Sequence, residues 1–494
     1  QLYYNVSGQF TFNSTTENSL LYNDNYPGYL LGLDDSYTQG SAQRENVRNT
    51  GLYLFAQDSW KIKPSLTLNY GLRWELDTPL ADALHHVQTF RPGQNSKVYP
   101  CVLTPAEQAS LGGTDCTSAG VQPTGLVVPG DPGIPSGLTQ TYYKAFAPRI
   151  GLSYAPNSKT TFRGGWGLFY NPMEQLVLEQ FGAEPPFGGS TFLPATFLNT
   201  PFISQTGTVS PNPFNGILSP PRGTPQDWAS FRPMLLYGDF QPKMRTQYSA
   251  QYNFNIQREL ARDIVLQVGY VGSQGHRLLA SHDINAANPQ TCLDIIAIAN
   301  SDPTGNSVSS YGTPGASCGP FLEDNQFTVT LPSSNGSLLP NGFHLPQGGT
   351  IQAAGQTLNF VGLRPYSSPN CNPLTGGPGN GCPADGVPVF TNIFAEDTIA
   401  ASAYNSLQAS VEKRFSHGLQ LEAAYTFSKS LDWASSFEET VNPFNYKASR
   451  ALSLFNSAQR FVINYYWELP VPRYNGFKGK LLDDWSMSGI IQFQ

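Results

Sequence analysis

The sequence predicts an all-β protein, a transmembrane antiparallel β-barrel with long extracellular loops. Three features carry this prediction. Apolar and polar residues alternate strictly over many segments, each of these segments has ten or more residues, and the connections between them alternate between short and long. A tilted strand needs about 9–11 residues to cross a bilayer, whereas strands of soluble sheets usually have about five or six.

The composition fits this class and excludes others. Charged residues make up 13% of the 494 residues, and aromatic residues also make up 13%. The charged fraction is about half of the usual quarter. No run of about 18 apolar residues occurs, which excludes helical membrane spans. The net charge of −7 offers no basic surface, so no nucleic-acid partner is expected.

Alternation of apolar and polar side chains locates the strands, because successive residues of a strand point to opposite faces. In residues 65–76, for example, Leu72 and Trp74 share one face and Arg73 and Glu75 share the other. The pattern predicts eleven strands, at residues 2–13, 46–62, 65–78, 142–155, 160–171, 245–259, 264–276, 402–415, 419–431, 458–469 and 484–494.

The connections indicate how the sheet is oriented in a membrane. Outer-membrane barrels have short periplasmic turns and long extracellular loops. The short connections predicted here are 63–64, 156–159, 260–263, 416–418 and 470–483. The long connections, which alternate with them, are 14–45, 79–141, 172–244, 277–401 and 432–457.

The polar face of the strands predicts what the inside of the barrel presents. In hydrocarbon the lipid face must be apolar, since a Lys or Arg at the bilayer midplane costs roughly 2–4 kcal/mol. The charged and amide side chains of the strands alternate with the apolar ones and therefore lie on one face, which we assign to the lumen. The predicted lumen-facing residues are Arg73, Glu75, Arg149, Arg163, Gln251, Asn253 and Gln408.

An odd number of predicted strands does not fit a closed bacterial barrel. Bacterial single-chain barrels have an even number of strands, and an open sheet edge is not viable in lipid. We therefore expect residues 1–494 to form a partial barrel domain, an internal piece of a longer protein that lacks the closing strand.

The strand–turn–strand units resemble a known family. Gln57–Trp60 followed by Leu66–Glu75 resembles a β-hairpin of TonB-dependent outer-membrane receptors, and most of all the Oar-like receptors of soil Acidobacteria. Further blocks follow in the same order, at Ala147–Tyr154, Phe162–Tyr170, Ile256–Leu260, Val268–Ser273, Tyr404–Gln408, Lys413–Phe415, Tyr425–Ser430 and Arg460–Val462.

The resemblance implies a barrel of about 22 strands with a lumen closed by an N-terminal plug. It also implies the outer membrane of a Gram-negative cell. The lumen-facing residues could line a substrate path or form hydrogen bonds with a plug, and the resemblance favours contact with the plug. The implied partners are outer-membrane lipid, the inner-membrane TonB complex acting through the plug, and an unknown extracellular ligand. Neither a plug domain nor a TonB box is found in residues 1–494.

The six cysteines fall in two of the predicted long loops, and none falls in a strand. Their spacing lacks the closely placed ligands of a zinc site, so disulfides are expected and no metal site is predicted. Cys101–Cys116 is the pair expected in the first loop. The other four allow three connectivities, of which proximity favours Cys292–Cys318 and Cys371–Cys382.

Aromatic residues in the loop 172–244 are candidate substrate contacts, because aromatic rings give rigid contact area in binding loops. They are Phe187, Phe192, Trp228, Phe231 and Tyr237. Packing of the loop onto its neighbours is the alternative role for the same residues. No catalytic motif occurs, so neither an enzyme nor a cofactor is expected.

The leading functional hypothesis is ligand-gated, TonB-dependent uptake of a scarce nutrient of siderophore, glycan or peptide type; cobalamin also remains open. A passive porin-like channel and an outer-membrane adhesin or binding protein are the alternatives. A soluble glycan-binding β-sandwich is a further alternative, since it has the same alternation.

Overall fold

The computed structural model describes most of the chain. The described residues are 7–12, 25–41, 46–172, 184–209, 220–302, 304–310, 313–314, 323–332, 341–352, 354–377, 379–436, 439–470, 476–477 and 484–494.

The main sheet is a meander in which each long strand pairs antiparallel with its neighbours in the sequence. Ten strands form this path, namely β1 Gly51–Lys63, β2 Leu66–Asp77, β3 Ala145–Asn157, β4 Thr160–Asn171, β5 Gln247–Ala261, β6 Ile264–Asp283, β7 Phe390–Ser416, β8 Leu419–Asp432, β9 Gln459–Glu468 and β10 Ser486–Phe493. The prediction of a large antiparallel all-β fold is confirmed.

Short turns join the strands in pairs at one end of the sheet. In four of these turns only two residues lie between the last paired residues, as between Ser416 of β7 and Leu419 of β8. These two residues, His417 and Gly418, have φ angles of 52° and 73°. Two successive positive φ angles are typical of the type I′ turn, which matches the twist of the flanking strands.

The register places apolar side chains in rows that run across most of the main strands. One row joins residues that pair with each other from β2 to β10, in the order Leu66, Tyr154, Phe162, Ile256, Val268, Ala409, Tyr425, Phe461 and Phe493. Several of these side chains are exposed. A continuous exposed apolar face of this kind fits contact with lipid.

The predicted first strand, residues 2–13, is wrong as a member of the main sheet. The described part of it forms the short strand Gln9–Thr11, which pairs with Ser36–Gly40 in a separate three-stranded sheet. The ring of Phe10 lies 4.7 Å from that of Tyr37. The alternation in this segment therefore reflects packing against another loop segment, and the main path has ten strands instead of eleven.

Two predicted strands are longer than expected. β6 and β7 were predicted to span 264–276 and 402–415, but the structure extends them to Asp283 and back to Phe390. Met234–Phe240 adds to the extended part of β7 in parallel. The extension, residues 277–283 of β6 and 390–401 of β7, is called the stalk. It carries polar residues on both faces, so the alternation that marks a strand in lipid stops there.

The remaining elements lie in the long connections. The helices are α1 Asn25–Leu31, α2 Pro105–Leu111 and α3 Pro289–Ser301, with short 3₁₀ turns at Ala229–Phe231 and Tyr446–Ser449. The shorter strands are Gln9–Thr11, Ser36–Gly40, Val47–Arg48, Ala81–Asp82, Thr89–Phe90, Leu126–Val127, Ser190–Pro194, Thr196–Phe197, Thr200–Ser204, Met234–Phe240, Val308–Ser310, Thr313–Pro314, Gln326–Thr330, Phe343–His344, Thr350–Ile351, Thr357–Val361 and Ala451–Leu452. Within the described ranges no helix has the length and apolar character needed to span a membrane.

The largest fully buried side chains lie in the loops and not in the membrane-spanning part of the sheet. Trp228, Phe90 and Phe187 belong to one cluster, which also contains Phe390 and Ile393 of the stalk. A second cluster surrounds α3 and packs Ile295 and Ile298 against the strands of its own loop. We call the packed connections β2–β3, β4–β5 and β6–β7 the loop assembly.

A charge on the apolar row tests the assignment of the lipid face. We expect Val268→Lys to destabilise the folded protein in a bilayer by roughly 2–4 kcal/mol, because an ammonium group near the midplane loses its hydration. The measurement is the urea midpoint of folding into phospholipid vesicles. Gln267→Lys, one residue away on the opposite face, is the matched control and is expected to change stability little; equal losses would contradict the assignment.

Candidate functional site

Two surfaces of the protein are candidates for function, the polar face of the main sheet and the loop assembly above it. The register places all seven residues predicted to face the lumen on the face opposite to the apolar rows. These residues are Arg73, Glu75, Arg149, Arg163, Gln251, Asn253 and Gln408. That this face lines a closed lumen stays a prediction.

Glycines separate the long polar side chains of this face. Arg149 pairs with Gly71 of β2 and with Gly167 of β4, and Gly167 pairs in turn with Gln251. A Cβ on Gly167 would lie 3.2 Å from Cγ of Arg149. Since glycine leaves this space empty, the arginine side chain lies across the sheet, with its guanidinium 4.5 Å from the ring centre of Phe169.

The charges nearest the loops are paired. Nε of Arg73 lies 3.0 Å from Oε1 of Glu75, and the guanidinium of Arg73 lies 4.8 Å from the ring centre of Tyr53. Glu75 is buried, whereas Arg163 and Gln251 are exposed. The face therefore presents hydrogen-bonding groups and cations, as a surface in contact with water or with a polar domain requires.

A cleft opens at the loop end of the polar face. Its lining includes Asp77 at the end of β2, Gln140 before β3, Arg245 and Gln247 at the start of β5, and Thr398 within β7. The volume of the cleft is about 70 Å³, enough for about two water molecules. Pockets for drug-sized ligands usually have about 300–1,000 Å³.

The aromatic residues that were candidate substrate contacts lie mainly inside the loop assembly. Phe187 and Trp228 are each 1% exposed, and Nε1 of Trp228 donates to the carbonyl oxygen of Tyr99 at 3.1 Å. The ring of Phe231 packs on Trp228, and Tyr237 stacks on Phe394 of the stalk at 5.0 Å. The backbone of Phe192 lies in the strand Ser190–Pro194.

These contacts determine which of the aromatic rings are accessible to a ligand in this conformation. Phe187 and Trp228 are almost fully buried in one cluster of the loop assembly; substrate contact by either stays a prediction. Phe231 and Tyr237 are half-buried, so part of each ring is accessible. Ligand contact by these two residues stays a prediction.

Arginine–carboxylate pairs join one long connection to another. Arg91 of the β2–β3 connection lies 2.9 Å from Asp239, and Arg232 of the β4–β5 connection makes two parallel contacts with Asp385. Paired contacts of this kind have a preferred geometry and are stronger than hydrogen bonds between neutral groups. They fix the three connections of the loop assembly relative to one another.

Arg364 is the most extensively paired of these cations. It lies within 3.1 Å of Asp283 on the stalk and also contacts Glu323 and Asp324 at 3.0 and 2.7 Å. Asp283 in turn accepts hydrogen bonds from the side chain of Asn392 and the backbone N–H of β7 at Ile393. The β6–β7 connection is therefore held directly to both strands of the stalk.

Two of the three preferred disulfides are present. Cys101–Cys116 and Cys371–Cys382 are bonded, with Cα atoms 6.1 and 4.4 Å apart. The two bonded segments also touch, because the N–H of Gly381 donates to the carbonyl oxygen of Ser118 at 2.8 Å. The third pair, Cys292–Cys318, includes a residue outside the described part of the chain.

Sequence reasoning missed the buried carboxyl groups of the stalk and of the strand Met234–Phe240 that pairs with it. Glu396 on β7 is 0% exposed and lies opposite Ser281 of β6. Burial raises the pKa of Glu396 to about 8, against a smaller opposing effect of Ser281. Burial also raises the pKa of Asp239 to about 6, although Arg91 opposes the shift. The only signal in the sequence is the run of polar residues where alternation stops.

The residues that the structure describes offer little for metal chemistry. In that part of the chain, no group of three or more His, Cys, Asp or Glu side chains is arranged to hold a metal ion. His282 is engaged instead with Asp397, whose Oδ2 lies 2.8 Å from its Nε2. This pair lies on the stalk and contributes to its packing.

An open sheet with one apolar face, one polar face and long connections at one end defines a membrane protein of the outer-membrane β-barrel class. A sequence model of the family described as "Outer membrane beta barrel domain" matches residues 1–494, and the chain belongs to this family. The predicted location in the outer membrane is thereby confirmed. No protein with a curated description matches the chain.

Among solved structures, the chain is similar to the ferripyoverdine receptor of Pseudomonas aeruginosa at 9% identity and a TM-score of 0.29, over 93% of this chain and 32% of that one. The alcaligin receptor FauA of Bordetella pertussis matches at 9% identity and a TM-score of 0.27, over 89% and 44%. The siderophore receptor PirA of Acinetobacter baumannii matches at 7% and 0.28, over 93% and 52%. The chain thus spans about a third to a half of these proteins.

The buried carboxyl of Glu396 makes a pH dependence testable. Its pKa in the folded protein, about 8, is above its ordinary value of 4.5. Its favourable contribution is therefore complete below about pH 4.5 and is lost as the pH rises through about 8. We expect Glu396→Gln, which stays neutral, to gain stability over the natural protein between pH 5 and 9, by on the order of 4 kcal/mol.

The measurement is hydrogen exchange of the stalk segment 390–397 at pH 5, 7 and 9, corrected for intrinsic exchange. Glu422→Gln, an exposed carboxylate on the polar face of β8, is the control and is expected to leave the pH dependence unchanged. A constant difference between Glu396→Gln and the natural protein at all three pH values would contradict the burial of a neutral carboxyl.

Proposed function

We propose that this protein is the barrel part of a TonB-dependent outer-membrane receptor that takes up a scarce nutrient. The observation that carries the proposal is the membership of residues 1–494 in the outer membrane beta barrel domain family. The Oar-like branch is the finer proposal. Its support is the resemblance of the β1–β2 hairpin, Gln57–Trp60 with Leu66–Glu75, which pairs without a gap over most of its length.

The open edges of the sheet support a barrel that is larger than this chain alone forms. In the described part of the chain, β1 and β10 each pair with one main strand only. Hydrocarbon offers no hydrogen bonds to the free edge of either strand. Further strands of the parent protein are the proposed partners of these edges, and a plug domain is the proposed occupant of the polar face.

The proposed mechanism separates capture from passage. The loop assembly captures the ligand outside the cell, where its packed connections give a preorganised surface. Passage would follow movement of the plug domain, which the resemblance to TonB-dependent receptors implies. Energy for that movement would come from the inner membrane through the TonB complex. We propose that the protein itself carries out no bond chemistry.

A second candidate function is that of an outer-membrane adhesin or binding protein. The specific observation in its favour is that the largest buried side chains lie in the loop assembly, which is built as a rigid body by ion pairs and disulfides. A surface of this kind binds a partner without any transport. Energy-dependent accumulation of the ligand distinguishes the two functions.

The test uses the full-length parent protein in its own cells at limiting iron. We expect ferric siderophores labelled with radioactive iron to accumulate in cells that carry the gene, and accumulation to fall at least about tenfold in a deletion strain. We expect a protonophore to abolish it, since uptake against a gradient needs the inner-membrane proton gradient. Labelled cobalamin and oligosaccharides are tested in parallel because the substrate class is open.

Accumulation that continues after the proton gradient collapses would contradict active uptake and indicate a passive channel. Binding to the cell surface without accumulation of any probe would favour the binding protein. The control is Arg262→Ala, which changes an exposed residue of the short turn between β5 and β6 and is expected to leave uptake unchanged.

A further inference from the structure

Four large apolar side chains are exposed in the segment between β8 and β9, residues 433–458. Leu454, Phe455, Phe444 and Leu452 are 81%, 69%, 61% and 57% exposed. Contiguous exposed apolar patches are rare on soluble surfaces and usually mark a contact with a protein or a membrane.

These side chains are exposed although the rest of the segment is well packed. Trp433, Val441 and Tyr446 pack against Ala280 and Ala400 of the stalk in a small core. The N–H of Val441 donates to the carbonyl oxygen of Ser281 at 2.8 Å, and the hydroxyls of Ser453 and Ser430 lie 2.8 Å apart. The four apolar side chains are therefore exposed on a segment that is itself fixed to the stalk and to β8.

The segment continues the lipid-facing side of the sheet. Leu452 pairs with Leu431 at the end of β8, and Leu431 shares a face with Phe427, an exposed member of the apolar side. Leu431 lies about twelve residues from the turn end of β8, slightly beyond the about 9–11 residues that cross the hydrocarbon. Leu431 and its partner Leu452 therefore lie at the height of the outer-leaflet headgroups.

Three cations lie close in sequence to the apolar side chains. Lys429 precedes the segment on the same face of β8, and Lys447 and Arg450 lie at and after the 3₁₀ turn Tyr446–Ser449. All three are exposed. Within the described ranges, no carboxylate lies within 4.0 Å of any of them; the nearby carboxylates of Asp432 and Glu439 instead accept hydrogen bonds from Ser435.

We propose that this surface, which we call the rim patch, binds the phosphate-bearing headgroups of outer-leaflet lipids. Its members are Lys429, Phe444, Lys447, Arg450, Leu452, Leu454 and Phe455. The apolar side chains enter the boundary between headgroups and acyl chains, and the cations contact the phosphates, a combination that strengthens binding to anionic lipid surfaces. The proposal depends on the outer-membrane location and not on the uptake function.

The test measures lipid retention by native mass spectrometry of the full-length protein in detergent. Diphosphorylated lipid A and phosphatidylcholine are added in separate titrations. We expect lipid A to be retained at about tenfold lower concentration than phosphatidylcholine. We expect Lys447→Ala/Arg450→Ala to remove most of this preference, and Leu454→Ser/Phe455→Ser to weaken retention of both lipids.

The matched control is Lys61→Ala/Lys63→Ala, which removes two lysines at the turn end of β1 and is expected to leave the preference unchanged. Folding of each variant is checked by the resistance of the barrel to heat and trypsin. Equal retention of the two lipids by the natural protein would overturn the proposal, as would equal losses in the rim-patch and control variants. Displacement of lipid A by millimolar inorganic phosphate would also overturn it, since that result indicates a site for free phosphate.

Discussion

The structure depends on one constraint, that every backbone N–H and C=O within the hydrocarbon must be paired inside the sheet. This constraint explains why the main strands are long, why they pair with their sequence neighbours, and why the turns at one end are as tight as His417–Gly418. It also explains the absence of a core within the membrane-spanning sheet. Lipid takes the place of a core, so Val268 and Phe254 are exposed in the protein alone.

The membrane-spanning part of the fold could be predicted from the sequence because lipid imposes a period of two on every strand. The strand predicted at 160–171 occurs as Thr160–Asn171, and that at 419–431 ends one residue later. The failures occur where lipid does not act. Residues 9–11 alternate but pack against Tyr37, and the stalk does not alternate because both of its faces are covered by protein.

Of the candidate site, only the polar face of the sheet could be predicted from the sequence. Arg149 and Gln251 fall on the polar face because successive side chains of a strand alternate. The ion pairs that join one long connection to another, Arg91 with Asp239 and Arg232 with Asp385, connect residues more than a hundred positions apart, and no local pattern records them. The burial of Trp228 has the same origin, since a ring in a polar loop has the same local sequence whether it packs or binds.

The stalk explains how a lipid-facing sheet and a water-facing loop assembly exist in one chain. β6 and β7 cross the membrane as alternating strands and then continue as strands buried on both sides. Above the membrane, Asp283 joins Arg364 of the longest connection to the backbone of β7, so the loops are attached to strands that the bilayer already holds. Any displacement of the loop assembly must therefore either break this pairing or move β6 and β7 together. The hydrogen-bonded strands β6 and β7 resist moving together. A ligand-dependent movement would therefore have to begin in the connections that lie farther from Asp283.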